Sequence, residues 1–237
     1  GNRAMTEPEL NHWLEKYDPS EQTISVTGTA TSFSNPDTLI VILGVESEAK
    51  TANESLSENS NLLNSVISSL NNSGISKDDI QTSNFRIYPL YDSIKDSNDN
   101  YQQILIGYRT SNTLSIQTDK IDSAGNIIDT AVSSGANRVD NVSFQLSEDK
   151  LQKIADDLIA DAINDASQKA EKALVPLKQK IVGVKSVVIH DNSISHYDSS
   201  MRASFDGFAE SMKSAPIMSG DEEIRTDVSV VFYISQE

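Results

Sequence analysis

The residues best suited to chemistry lie near the carboxyl end, where His190-Asp191 is followed by His196-Tyr197-Asp198. Imidazole beside carboxylate is a donor set for a transition metal, so His190, Asp191 and His196 are the candidate metal ligands. The two histidines are six positions apart; a helix would set them on different faces and a strand would hold them about 20 Å apart, so neither spacing brings them together. The set works only if the loop folds its members together; otherwise it is a solvated polar loop. His12 is remote in sequence and belongs to an amino-terminal arm. Carboxylate pairs occur at Asp78-Asp79, Asp156-Asp157 and Glu222-Glu223. General acid-base catalysis needs two carboxyls in unlike environments, which adjacent residues in a turn or on a helix do not provide by themselves. Serine is abundant, yet there is no Gly-x-Ser-x-Gly elbow, and neither the dinucleotide nor the Walker glycine pattern occurs. The expectation is a non-enzymatic protein without a cofactor. The alternatives are a ligand- or metal-binding protein and a hydrolase whose distant carboxylates are joined only by the fold.

Composition narrows the partners. The 237 residues carry a net charge of −16, which repels phosphate backbones, so nucleic acid is not expected to bind. With no cysteine, disulfides, zinc-thiolate sites and thiol catalysis are excluded. No apolar run approaches the roughly 18 residues of a membrane-spanning helix. The first five residues read as an expression remnant, in whose place a signal peptide could once have stood. Asn53, Asn71 and Asn141 open glycosylation sequons of the kind that arise by chance in an Asn- and Ser-rich chain.

The elements that must position these groups follow from periodicity. Thr6 and Glu9 are spaced as a capping box for a short helix to Tyr17 that carries Leu10, Trp13 and Leu14 on one face. Strict alternation from Thr23 to Thr31 predicts a half-buried strand, and Leu39-Ile40-Val41-Ile42-Leu43 a central one. The short Asn35-Pro36-Asp37 connection suggests that these two strands pair as an antiparallel hairpin. A polar helix is expected over 47–73, with Leu56, Leu63, Val66, Ile67 and Leu70 as its stripe and Gly74 as its cap. Next come a strand through Phe85, Ile87 and Tyr88, a polar loop from Asp92 to Asn100, and a long strand from Ile104 to Thr118. A helix over 119–133 and a strand from Val139 to Leu146 follow. The strongest periodicity begins after Ser147, where Leu151, Ile154, Leu158, Ala162, Ala166, Ala170 and Ala173 recur at three- and four-residue steps until Pro176. Its acidic residues Asp156, Asp157, Asp161 and Asp165 read as a wet outer face. Two last strands, Val182 to Ile189 and Asp227 to Ile234, flank an insertion of about thirty residues. Within it Met201, Phe205, Phe208, Ala209 and Met212 share a helical face.

Several short motifs keep a characteristic order: Ile24-Ser25-Val26-Thr27-Gly28, Pro36-Asp37, Gly74-Ile75, Asp78-Asp79-Ile80-Gln81-Thr82, Gly107-Tyr108-Arg109, Gly135-Ala136-Asn137-Arg138, and Asp161-Ala162 through Lys169-Ala170. In this order they resemble the SIMPL family over about residues 22 to 235. The resemblance implies an α+β fold and a periplasmic, secreted or cell-surface location. It also implies self-assembly, since some members form ring-like or channel-like oligomers, and a link to stress protection. It supplies no catalytic residues. The fold class expected is therefore α+β, mainly antiparallel sheets covered by helices, including one long Ala-rich helix. Residues 1–19 form an arm before a SIMPL-like domain over 20–237, divisible into lobes near 20–146 and 147–237. The expected partner is a further copy of the same chain, with any other protein partner unspecified.

Overall fold

A computed structural model describes residues 3–16, 21–196 and 217–237. The insertion stripe from Met201 to Met212 lies outside the described residues, as do Tyr17 and the side chains of Trp13 and Leu14. The fold is α+β, with two antiparallel sheets and four helices among the described residues. The chain forms two compact units. One comprises the chain up to Phe33 with Asp149–Ser195 and Glu223–Glu237; the other comprises Ser34–Glu148 with the described residues of His196–Glu222.

The first unit begins with α1 (Glu7–Lys16), whose capping box closes as expected. The Thr6 amide donates to Glu9 Oε2 at 3.1 Å, and the Glu9 amide donates to Thr6 Oγ1 at 3.4 Å. Its sheet has the order β1 (Thr23–Ser34), β8 (Glu222–Gln236), β6 (Gln179–Ile189), and the short β7 (Ser193–His196) also pairs with β8. β6 and β8 run antiparallel from Gln179 opposite Gln236 to Ile189 opposite Val228. The long helix α4 (Glu148–Leu174) lays Ala162, Ala166 and Ala170 on Val228, Val230 and Phe232, with Ile24, Val26 and Ala30 packed alongside. Its buried stripe is Ala155, Leu158, Ala162, Ala166, Ala170 and Leu174, so the seam ends on Leu174 and Ala173 faces solvent. A single 3-10 turn containing Pro176 follows, and Lys178 closes it in a left-handed conformation, φ 56°.

The second unit holds the larger core. Its sheet order is β3 (Ile80–Lys95), β4 (Tyr101–Thr118), β2 (Thr38–Ala49), β5 (Arg138–Gln145), with every neighbouring pair antiparallel. β2 is central, as its apolar run predicts. Leu39, Val41, Leu43 and Val45 are fully buried with Val66 and Leu70 of α2 (Ala52–Asn72) and with Ile127, Ile128 and Ala131 of α3 (Ala124–Ser134). α2 starts five residues later than the periodicity suggests. Glu46, Ser47 and Glu48 still alternate as strand opposite Ser111, Thr110 and Arg109, and Thr51 then caps the helix by accepting from the Glu54 amide at 3.1 Å. Gly74, φ 104°, ends it as anticipated.

Two expectations are corrected here. The strands before and after Pro36 do not form a hairpin, because β1 belongs to one sheet and β2 to the other. The intervening turn is fastened elsewhere: Asp37 accepts from the amide and the hydroxyl of Ser147, both at 2.7 Å, while its own amide donates to Gln145 O. Nor is the segment from Asp92 a loop. β3 continues through it to Lys95, pairing Asp92 with Ile104 and Lys95 with Tyr101. Only Asp96 to Asn100 turns, and Asp96 Oδ1 accepts from the amides of Asn98 and Asn100 at 2.9 Å each.

Candidate functional site

The expected metal ligands sit around the end of β6. His190 follows that strand, is exposed, and has Nε2 2.9 Å from Ser229 Oγ, while its amide donates to Asp227 O at 2.9 Å. Asp191 is exposed in the next turn, and His196 ends β7 with its side chain outside the described residues. Among the described residues, no group of three His, Asp or Glu side chains could hold a metal ion. Asp227 and Ser229 alternate on β8 and so share a face, but the Asp227 carboxylate points to other partners. It accepts from Thr29 Oγ1 at 2.8 Å and from Arg225 Nε at 3.1 Å. The Thr29 hydroxyl bond, reinforced by Arg225, holds the Asp227 carboxyl below its usual range.

Asp165 departs from the wet-face reading of α4. Its Oδ2 accepts the Thr29 amide at 2.9 Å and pairs with Lys169 at 3.0 Å, tying the helix to β1. The Thr29 amide, with help from Lys169, lowers its pKa.

The face of the second sheet opposite α2 and α3 carries a ladder of charged hydrogen bonds. Arg138 Nε donates to Asp140 at 2.7 Å, and Nη1 donates to Glu46 at 2.7 Å and to Ser111 Oγ at 2.8 Å. Nη2 reaches Thr113 Oγ1 and Asp140. The guanidinium lies over Gly44, where a Cβ would stand 2.6 Å from Nη2. One rung along, Arg109 is paired with Glu48 and donates to Tyr88 Oη at 3.1 Å. Tyr88 also receives the Arg86 guanidinium at 5.3 Å from its ring centroid. Both arginine pKa values are raised, Arg109 by Tyr88 and then Glu48, Arg138 chiefly by Asp140. Paired this closely, the arginines brace strands rather than activate a nucleophile.

The helix-covered face holds polar groups that periodicity did not reveal. Ser55 and Asn59 occupy buried positions of α2. Ser55 Oγ donates to Ser47 O at 3.1 Å and lies 2.6 Å from Thr110 Oγ1, while Asn59 Nδ2 donates to Val45 O at 2.8 Å and Thr110 O at 3.1 Å.

Beyond Ala49, the last residue of β2 to pair with β4, only β3 and β4 continue among the described residues, as a hairpin arm. Six paired residues on each strand give the arm a length of about 20 Å. Gly107 marks the departure point, since a Cβ there would meet Ala49 O at 2.7 Å. The register slips at Leu90/Tyr91 just beyond it. The arm and the adjoining turn of sheet expose Phe85 (48%), Ile87 (37%), Tyr91 (56%), Ile94 (47%), Tyr101 (72%) and Ile104 (41%), together with Leu105 and Ile106. Isolated two-stranded hairpins are marginal in water, and monomers rarely leave so many large apolar side chains in one place. The signal was visible as alternation from Ile104, but the polar turn residues concealed that its partner strand was equally long. No helix among the described residues is long and apolar enough to cross a membrane.

The chain is 27% identical over 223 residues to the 26 kDa periplasmic immunogenic protein of Brucella melitensis, covering 89% of this chain and 84% of that one. It is 28% identical over 185 residues to the uncharacterized protein YggE of Escherichia coli K12, covering 77% of this chain and 70% of the relative. The SIMPL family model, described as a protein of unknown function, matches residues 24–232, from the first sheet strand through the last, and the chain therefore belongs to the SIMPL family.

Proposed function

We propose that this chain is a non-enzymatic, extracytoplasmic protein that works by self-assembly, burying the β3–β4 arm against another copy. The observation that carries the reading is the exposed apolar surface of that arm. Eight large side chains with on the order of 200 Å² each, about half of it exposed, offer roughly 800 Å². That is about the area one partner contributes to a standard specific interface. The charge of −16 opposes indiscriminate aggregation, so burial of the arm requires a fitted contact. The extracytoplasmic part of the reading rests on the periplasmic name of the Brucella relative.

Light scattering coupled to size-exclusion chromatography tests it. The expected result is a defined oligomer of the 25.9 kDa chain that shifts toward monomer when Tyr91→Ser and Leu105→Ser are combined. A monomer at every workable concentration would overturn self-assembly.

A further inference from the structure

The arm has a complementary surface elsewhere on the chain. β6 ends its sheet, pairing with β8 on one side and, among the described residues, with nothing on the other. Such an edge is ordinarily short or blunted by charge, because its free amides and carbonyls template further pairing. β6 carries Lys180 and Lys185 and breaks register with β8 at Ile181/Gly183 and Val184/Ser186, yet over its eleven residues it still exposes Val182 (55%), Val184 (56%), Val187 (44%), Val188 (52%) and Ile189 (51%). Its charges are of one sign. From Val175 to Ile189 there are three lysines, Lys178, Lys180 and Lys185, and no carboxylate, in a chain with 35 acidic and 19 basic residues. The outer part of the arm, from Asp92 to Tyr101, has the opposite bias, with Asp92, Asp96 and Asp99 against Lys95 alone. Lys185 is paired with Glu21 and Asp99 with Lys95, but both pairs are exposed at the surface.

Resting on the self-assembly reading, we propose that the β3 edge of the arm in one copy pairs with the β6 edge of a second copy. Charge selects this arrangement over its symmetrical rivals. Two β6 strands paired about a two-fold axis would bring lysine toward lysine, and two arms would bring aspartate toward aspartate. Arm on β6 sets lysine against aspartate while valine, isoleucine and tyrosine cover one another. Backbone hydrogen bonds supply the register, as in other strand additions. The contact is head-to-tail: each copy offers an arm and accepts one.

Two variants separate the possibilities. Tyr91→Ser with Leu105→Ser disables the arm and leaves β6 intact; Val184→Glu with Val187→Glu opposes the acidic arm and leaves the arm intact. All four side chains are 44–56% exposed, so folding should be retained, to be checked by circular dichroism and thermal unfolding. The expected result in light scattering is that each variant alone is monomeric, with at least a tenfold loss of association. An equimolar mixture then forms a dimer of twice 25.9 kDa that grows no further, since one good arm meets one good β6. If Val184→Glu/Val187→Glu keeps the parent mass, β6 is not the acceptor, although self-assembly through the arm stands. If both variants are monomeric and the mixture stays so, the contact is symmetrical and the head-to-tail proposal is overturned. A monomeric parent protein would remove the self-assembly reading and this proposal together.

Discussion

A Cβ placed on Gly28 would lie 1.9 Å from the carbonyl oxygen of Ala162, with the Ala166 amide nitrogen and methyl both 2.8 Å away. α4 thus crosses β1 in backbone contact, and alanine at 162, 166 and 170 is what lets the helix descend that far. Gly28→Ala cannot be relieved by turning a side chain, because the obstacle is main chain. The expected cost is about 3 kcal/mol, at the upper end for overpacking, read as a lowered urea midpoint. Gly183→Ala is the control: its nearest contact is Tyr233 at 3.6 Å, and it should change stability by under about 1 kcal/mol. Ala162→Gly should not rescue Gly28→Ala.

Asn59 tests whether the polar groups under α2 are needed. Its amide donates to two strand carbonyls from a site that is 1% exposed. Asn59→Leu matches it in size but leaves Val45 O and Thr110 O without that donor, so a loss of about 1–3 kcal/mol is expected. Ser55→Ala should cost about 1 kcal/mol. If Asn59→Leu left the denaturation midpoint unchanged or raised it, the amide would be dispensable filling.

Acid should weaken the first unit through Asp165 and Asp227. Both carboxyls titrate below the ordinary value of 3.8, Asp165 through the Thr29 amide and then Lys169, Asp227 through the Thr29 hydroxyl and then Arg225. A carboxyl with a depressed folded pKa binds protons more readily when unfolded. Its contribution is therefore complete above about pH 5 and declines as pH falls through 3.8 toward the folded value. Asp165→Asn and Asp227→Asn should each flatten the stability-against-pH slope between pH 5 and 3. An unchanged slope in the double variant would assign the acid sensitivity elsewhere.

Most elements were legible because apolar periodicity records burial directly. Leu39 to Val45 identified a central strand, and the alanines from 162 to 170 marked the buried stripe of a helix. Pairing was less legible. Nothing local in Thr23 to Thr31 distinguishes β2 from β8 as a partner, since Asp37 redirects the chain through a bond to Ser147, 110 residues away. Ser55 and Asn59 escaped notice because a hydrophobic stripe counts only apolar residues. Arg138 stood in a recognisable motif, but its ligands Glu46, Ser111 and Thr113 lie on two other strands.

Arg138 gathers those strands through a planar fork that lysine cannot reproduce. Arg138→Lys should lose the bidentate bond to Asp140 and at least one of those to Ser111 and Thr113, at a cost of about 2 kcal/mol. Arg138→Met should cost more, because the carboxylates of Glu46 and Asp140 would face each other without the cation. The order parent, lysine, methionine in thermal unfolding is the check, and equal midpoints for the two variants would argue that only packing over Gly44 matters.

The arm's turn offers a way to separate its order from its apolar surface. Asp96 accepts two amides of the turn, and no large apolar side chain is altered by changing it. In Asp96→Ala those amides turn to water, and the outer pairs from Asp92–Ile104 to Lys95–Tyr101 lose the turn that sets their register. The main core does not depend on these pairs, since Leu43, Leu114 and Ile127 lie far back along the sheet. Hydrogen exchange should therefore show lost protection at residues 92–104 with the core unchanged, and light scattering should show weaker association. A preordered arm contributes affinity by avoiding the entropy of ordering on contact, so loss of the turn should weaken assembly although every apolar side chain remains, and Asp96→Asn, which keeps the acceptor oxygen but drops the charge set against β6, should weaken it less. Unaltered association despite lost protection would mean that the arm is ordered by its partner and that Asp96 serves only the isolated chain.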